Sequence, residues 1–222
     1  MTEPISDPRA WRAAMALMAL GSTVSLAHAD MLVTDGMQPW EVCAECHSMD
    51  GISRMARFPK LAGQRRDYIV KQVRDFRDGR RGNDGGQMAA TASDVGDDDL
   101  AKAAEYFANL PAPAPGASAA SDSVQWQRGA ALYQDGDAAA SITSCRSCHD
   151  DRGPNRPYGP LLKAQHAAYL AKQLRDWRSG ARTNDESRTM PAIAAKLSEQ
   201  DISALATFLA SQPRPLSNGR AQ

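Results

Sequence analysis

The chain has 222 residues, enough for one or two domains. Its 26 basic and 26 acidic side chains cancel, so no net field draws in nucleic acid or an anionic membrane. With charge uninformative, the four cysteines direct the reading.

Residues 1–29 read as a cleavable signal peptide. Arg9 and Arg12 precede an apolar stretch from Ala13 to Leu26, and Ala27-His28-Ala29 matches an A-x-A cleavage site, leaving Asp30 as the mature N-terminus. The stretch is short for a bilayer span. Glu3 and Asp7 make its approach less basic than usual, which keeps an uncleaved membrane anchor as the alternative. Export to the periplasm is the expectation.

Cys43-Ala-Glu-Cys46-His47 follows, and it returns 102 residues later as Cys145-Arg-Ser-Cys148-His149. C-x-x-C-H reads as a c-type haem attachment site. Two thiols three positions apart can each add across one vinyl group of the same porphyrin, and the next imidazole then sits under the ring within reach of the iron. Two covalently bound c-type haems are therefore expected. A thioredoxin-like redox pair needs a βαβ context, and no strand pattern surrounds either motif. A four-cysteine zinc site would have to converge from 102 residues apart and would leave both histidines unexplained. Disulfides closing such short loops would stabilise little.

After the first motif, Tyr68, Ile69, Val73 and Phe76 recur at helical spacing and stop at Gly79. Leu100, Ala103, Ala104, Phe107 and Leu110 form a second helical stripe, ended by Pro111. Pro111-Ala-Pro-Ala-Pro-Gly-Ala-Ser then reads as a semi-rigid linker. Beyond it the pattern repeats: Tyr169, Leu170, Leu174 and Trp177 run up to Gly180, and Ile202, Leu205, Phe208 and Leu209 follow a capping-box-like start at Ser198.

The chain is an internal duplication at an offset of 101 or 102 residues. Gln64, Tyr68, Gln72, Phe76 and Gly79 fall on Gln165, Tyr169, Gln173, Trp177 and Gly180, and Asp99, Phe107 and Pro111 fall on Asp201, Leu209 and Pro213. The expected organisation is a domain over 30–111, a linker over 112–123 and a second domain over 124–222. Each is all-α and wrapped around its haem, which adds apolar contact that so small a domain lacks.

The duplication also nominates the second axial ligands. Of four histidines, His28 lies in the signal peptide and His166 is the one spare, with Arg65 in its place in the first copy; bis-histidine ligation in both halves is thus excluded. Met190 is the one methionine of the second half and lies 41 residues after His149; Met88 lies 41 residues after His47. Met31, Met37, Met49 and Met55 have no such counterparts and read as packing or loop residues. His47, Met88, His149 and Met190 are the expected axial set, a ligation that raises the reduction potential and closes both faces of the iron. Pro59 and Pro160 mark a loop whose carbonyl could accept the free Nδ1–H of each histidine; alternatively each proline only starts a helix.

Two C-x-x-C-H domains, each with a P-x-L-x-x-Q-type segment, Tyr-x-x-x-Gln, a downstream methionine and a closing helix, resemble the diheme cytochrome c4 family over residues 36–213. The resemblance implies two tandem class I cytochrome c folds about a pseudo-two-fold axis. It implies a periplasmic electron carrier, Cys43, Cys46, His47 and Met88 serving one haem and Cys145, Cys148, His149 and Met190 the other, with the proline carbonyls of Pro59 and Pro160 in support. Redox proteins would be the partners, with a quinol–cytochrome c reductase or dehydrogenase as donor and a terminal oxidase as acceptor. No nucleic acid or small-molecule substrate is expected. The alternatives are a haem subunit of a sulfide- or alcohol-oxidising dehydrogenase and, further off, a diheme peroxidase or thiosulfate-oxidising enzyme, which would need Met88 to leave or His166 to be recruited.

The halves also differ. Ala89 follows Met88 where Pro191 follows Met190, the first methionine is approached through Gly82-Asn-Asp-Gly-Gly86, and Gly96 stands where Ser198 caps the second copy. A softer first methionine loop and a modest difference in reduction potential are expected. Between Asp30 and Pro111 there are 11 basic against 14 acidic residues, and from Asp122 onward 13 against 10, so the halves carry opposite charge.

Overall fold

The computed structural model describes residues 36–116, 123–150 and 159–214, all within one compact unit. The expected signal peptide, residues 117–122 of the linker and the last eight residues lie outside the described residues. Among the described residues the fold is all-α, as expected: nine helices, and no extended pairing except an isolated bridge between Asp137 and Ile142.

In the first half, α1 (Pro39–His47) starts with proline in its first turn and with the Gln38 N–H donating to the Glu41 carboxylate at 2.7 Å. It ends at Ser48, whose φ of 66° breaks the helix directly after the haem motif. α2 (Arg66–Arg77) buries Ile69 and Phe76, and α4 (Asp97–Asn109) buries Leu100, Ala103, Ala104 and Phe107, the stripes expected from the sequence. α3 (Gln87–Ser93) lies between them in sequence and carries Met88. Trp40 of α1 stacks on Tyr106 of α4 at 4.6 Å, which joins the haem-motif helix to the closing helix.

The second half repeats this with one change. α5 (Val124–Gln134) packs on the closing helix α9 (Glu199–Ala210), but eleven residues separate it from the short α6 (Arg146–His149) that carries the haem motif. α7 (Ala167–Ser179) and α8 (Thr189–Ala194) correspond to α2 and α3. The duplication extends to the backbone: Gly63 and Ala164 both adopt the left-handed conformation, and their N–H groups donate to the carbonyls of Phe107 and Leu209, each at 2.9 Å.

Each half has its own apolar core. Ile69, Ala104 and Phe107 centre one; Leu132, Tyr133, Leu170, Ile202, Leu205 and Phe208 belong to the other. Burying one such large side chain contributes about 1.5–3 kcal/mol. The contact between halves is polar and is described with the site.

Two interactions set the second core. Gly129 lets α5 cross α9 closely, because a Cβ there would collide with the Ala204 carbonyl and the Phe208 Cβ. Asp201 caps α9 with Ser198 and accepts from Arg128 Nε of α5 at 2.7 Å. Burial pushes the Asp201 carboxyl up, but hydrogen bonds from Arg128 and Ser198 outweigh it and hold the pKa below the usual range. Gly129→Ala is expected to cost about 1–3 kcal/mol in denaturant unfolding, since the nearest obstructing atoms are the Ala204 backbone. Asp201→Asn is expected to cost about 1–2 kcal/mol at pH 7. A lowered folded pKa stabilises above the unfolded value of about 3.9 and is lost as pH falls through the folded one. Unfolding curves of wild type and Asp201→Asn should therefore converge on acidification.

Candidate functional site

Helical geometry places the attachment residues. Cys43, Cys46 and His47 sit at i, i+3 and i+4 in the last turns of α1, on one face of the helix. In the second half Cys145 is the N-cap of α6, and Cys148 and His149 close that single turn. None of the four cysteines is in a disulfide. Burial pushes the Cys43 and Cys145 thiols up to about 11, so they are neutral, unlike the thiolate of a redox C-x-x-C pair. Among the described residues no three His, Cys, Asp or Glu side chains gather as a metal cluster, so the two pairs do not converge as a zinc site would require.

The His47 Nδ1 lies 2.8 Å from the Pro59 carbonyl oxygen, and the His149 Nδ1 lies 3.0 Å from that of Pro160. A carbonyl only accepts, so each ring carries a proton on Nδ1, and in the neutral form Nε2 is the nitrogen that bears the lone pair. Burial lowers the His47 pKa, which favours this neutral form, and the Pro59 hydrogen bond opposes it only partly.

Both methionines occupy the second position of a short helix entered through a left-handed residue, Gly86 (φ 88°) before α3 and Arg188 (φ 53°) before α8. An upstream carboxylate fixes each: Asp84 accepts from the Met88 N–H at 2.6 Å, and Asp185 from the Met190 N–H at 2.7 Å. The glycine-rich first approach thus ends in the same local geometry as the second.

A cavity of about 1300 Å³ runs through both halves and is lined by Cys43, Cys46, His47 and Met88 as well as Cys145, Cys148, His149 and Met190. It exceeds the roughly 300–1,000 Å³ of an ordinary small-molecule pocket. Apolar side chains, among them Ile69, Phe76, Leu170 and Trp177, supply much of its wall.

Where the halves meet, the lining turns polar. Arg81 is buried and donates to Gln72 of its own half at 2.6 Å and to Gln173 and Tyr169 of the other at 2.9 and 3.1 Å. Arg182 mirrors it, donating to Gln173 at 2.8 Å and across to Gln72 and Tyr68 at 2.9 and 3.4 Å. Their guanidiniums lie over Phe76 and Trp177, each 4.5 Å from the ring centroid. Burial pushes the Tyr68 phenol up, but Arg182 and Arg81 outweigh it and lower its pKa. Neither arginine has a carboxylate within 4.0 Å among the described residues. Two buried guanidiniums lining a cavity with no carboxylate in direct contact among the described residues fit a ligand that brings anionic groups, and a haem brings two propionates. The apolar walls, the cysteine pairs, the imidazoles held by proline carbonyls and these guanidiniums together fit two haems.

The structure thus brings all ten residues named from the sequence to this cavity or its lining loops. His166 takes another place: its Nε2 donates to the Ser53 carbonyl of the other half at 2.8 Å. Asp84, Asp185, Arg81 and Arg182 were not picked out from the sequence. Their signal was present, since each pair repeats at an offset of 101, but a charged residue recurring at a fixed offset looks like surface until its burial is known.

Comparison with known proteins agrees with this architecture. The family model for cytochrome c oxidase, cbb3-type, subunit III matches residues 124–209. Cytochrome c4 of Pseudomonas aeruginosa is 39% identical over 196 residues, covering 87% of this chain and 94% of that one. A thiosulfate dehydrogenase electron acceptor of Stutzerimonas stutzeri is 36% identical over 173 residues, covering 76% and 77%. The crystal structure of reduced recombinant cytochrome c4 from Pseudomonas stutzeri superposes with a TM-score of 0.66 at 35% identity, covering 77% of this chain and 93% of that one. With relatives of that identity along nearly their whole length, and with two attachment motifs opening on one haem-sized cavity, the chain belongs to the cytochrome c4 family and is an electron-transfer cytochrome with two covalently bound c-type haems.

Proposed function

We infer that this chain carries electrons between redox proteins of the periplasm through two His/Met-ligated haems. The observation behind this is the matched pair of centres: imidazoles with Nδ1 on a proline carbonyl, and methionines whose N–H is fixed by an aspartate, with each methionine 41 residues after its histidine. Residues 30–111 would form one haem domain and 124–222 the other, with 112–123 as linker. Cys43 and Cys46 would hold one haem with His47 and Met88 as axial ligands; Cys145 and Cys148 would hold the second with His149 and Met190. The bound haem supplies reversible one-electron chemistry at iron. The chain's residues would do the rest: Pro59 and Pro160 orient the imidazoles, the methionines would supply the second iron ligand, and Arg81 and Arg182 would offset propionate charge.

Export is supported by the signal-like residues 1–29, and no helix among the described residues is long and apolar enough to cross a membrane. The opposite charge of the halves suits one to a basic partner surface and the other to an acidic one. A quinol–cytochrome c reductase or dehydrogenase as donor and a terminal oxidase as acceptor fit this role. A second reading, a subunit bound to a dehydrogenase, is favoured by the relative named as a thiosulfate dehydrogenase electron acceptor. Recovery of the chain from its native source as a stable complex with a dehydrogenase would select that reading over the free carrier.

Met88→Ala and Met190→Ala are each expected to retain two haems per chain and to lose one of the two low-spin methionine-ligated signals. An unchanged spectrum in either variant would remove that methionine from the ligand set. Arg81→Gln and Arg182→Gln are expected to lower both reduction potentials in a spectropotentiometric titration, because removing a buried cation favours the oxidised, more positive state of each centre. A shift confined to one haem would assign the arginine to that half alone.

A further inference from the structure

Gln64 and Gln165 occupy equivalent positions, and both are almost fully buried. Each turns its amide toward the opposite half. Gln165 accepts from the Lys60 N–H at 2.8 Å and donates to the Lys60 carbonyl at 3.0 Å. Gln64 accepts from the Leu161 N–H at 2.9 Å and donates to the Leu161 carbonyl at 3.0 Å. Each amide oxygen also accepts from the next residue of its own chain segment, Arg65 or His166, at 3.0 Å, which fixes the side chain before it crosses.

The residues gripped are those that follow the two prolines. The Lys60 N–H and the Pro59 carbonyl belong to one peptide group, as do the Leu161 N–H and the Pro160 carbonyl. A continuous chain therefore runs from the Gln165 oxygen, through the Lys60–Pro59 peptide, to the Nδ1–H of His47. Its mirror image runs from the Gln64 oxygen, through the Leu161–Pro160 peptide, to the Nδ1–H of His149. Hydrogen bonds in series polarise one another. A peptide whose N–H is engaged has a more negative carbonyl, which accepts more strongly and makes the imidazole a more basic ligand.

We propose that Gln64 and Gln165 are crossed positioning residues: each sets the basicity and orientation of the histidine in the opposite half, so neither haem centre is complete without the other half. This rests on the reading of His47 and His149 as axial ligands. Other contacts across the interface, among them Arg65 to the Asp150 carbonyl, His166 to the Ser53 carbonyl, the Lys60 ammonium to the Ala164 carbonyl and the Arg81 and Arg182 bonds described above, hold the halves together but do not engage those peptide N–H groups.

The test uses the full two-haem protein with Gln64→Leu and Gln165→Leu, which keep approximate volume and remove both hydrogen bonds. Gln64→Met and Gln165→Met, closer in shape, serve if a leucine variant loses a haem. The expected pattern is crossed. Gln64→Leu should raise the potential of the haem at Cys145 and Cys148 and speed exchange of the His149 Nδ1–H about tenfold, leaving His47 near its wild-type rate. Gln165→Leu should do the converse. A general loosening of the interface would move both centres alike, and a local packing effect would move the centre of the mutated half; either result, or no shift, would overturn the proposal. Hyperfine-shifted imidazole signals from both histidines in the oxidised wild type establish the ligation on which it stands. Their absence would overturn that reading and the proposal with it, whereas their presence with uncrossed shifts would overturn the proposal alone.

Discussion

A buried imidazole must keep one ring nitrogen hydrogen-bonded, because an unpaired polar group away from water costs about 1–3 kcal/mol. The buried His47 meets this requirement with the Pro59 carbonyl twelve residues downstream, and the half-buried His149 makes the same bond to the Pro160 carbonyl eleven residues downstream. Most of each half follows from that bond. The chain must turn back after the histidine, the turn must be held, and the helix beyond it must start pointing along the cavity wall. Proline suits the turn because its carbonyl remains while its missing N–H leaves no donor to satisfy. The left-handed residues Gly63 and Ala164 then tie the loop to the closing helix through Phe107 and Leu209.

The contact between halves obeys a different rule. Apolar interfaces tolerate sliding, but this one is built from amides, guanidiniums and peptide groups whose hydrogen bonds need particular positions. Gln72 and Gln173 each accept from both Arg81 and Arg182, so each arginine is shared between the halves. Buried polar groups of this kind specify register more than they add stability. For an electron-transfer protein with two haems, a fixed register between the halves holds the distance between the two attachment sites constant.

The sequence disclosed much of the site because the chemistry involved is local. Cysteine, cysteine and histidine at i, i+3 and i+4 have meaning within one helical turn, wherever that turn lies. The methionines were legible for another reason: a duplicated chain provides its own control, and the equal step to Met88 and Met190 set them apart from Met49 and Met55, which are half-exposed. The helical stripes were legible because apolar spacing follows from the helix itself. The eleven residues between α5 and α6 were not anticipated, since the repeat was matched only from the haem motif onward.

Residues whose role depends on a distant partner stayed hidden. Arg81 and Tyr169 are 88 positions apart, and Gln64 and Leu161 are 97 apart; nothing in their neighbours shows that they meet. Gln64 and Gln165 were visible as a repeated letter, with no sign of which peptide they would grip. The sequence by itself determined the two haem attachments, their equal spacing to a downstream methionine and the duplication that makes them equivalent, because each rests on covalent order or a helical period. Only the tertiary structure decided that the halves cross-link through the peptides supporting the histidines and share two buried arginines, because such contacts exist only once both cores have formed and brought them within hydrogen-bond reach.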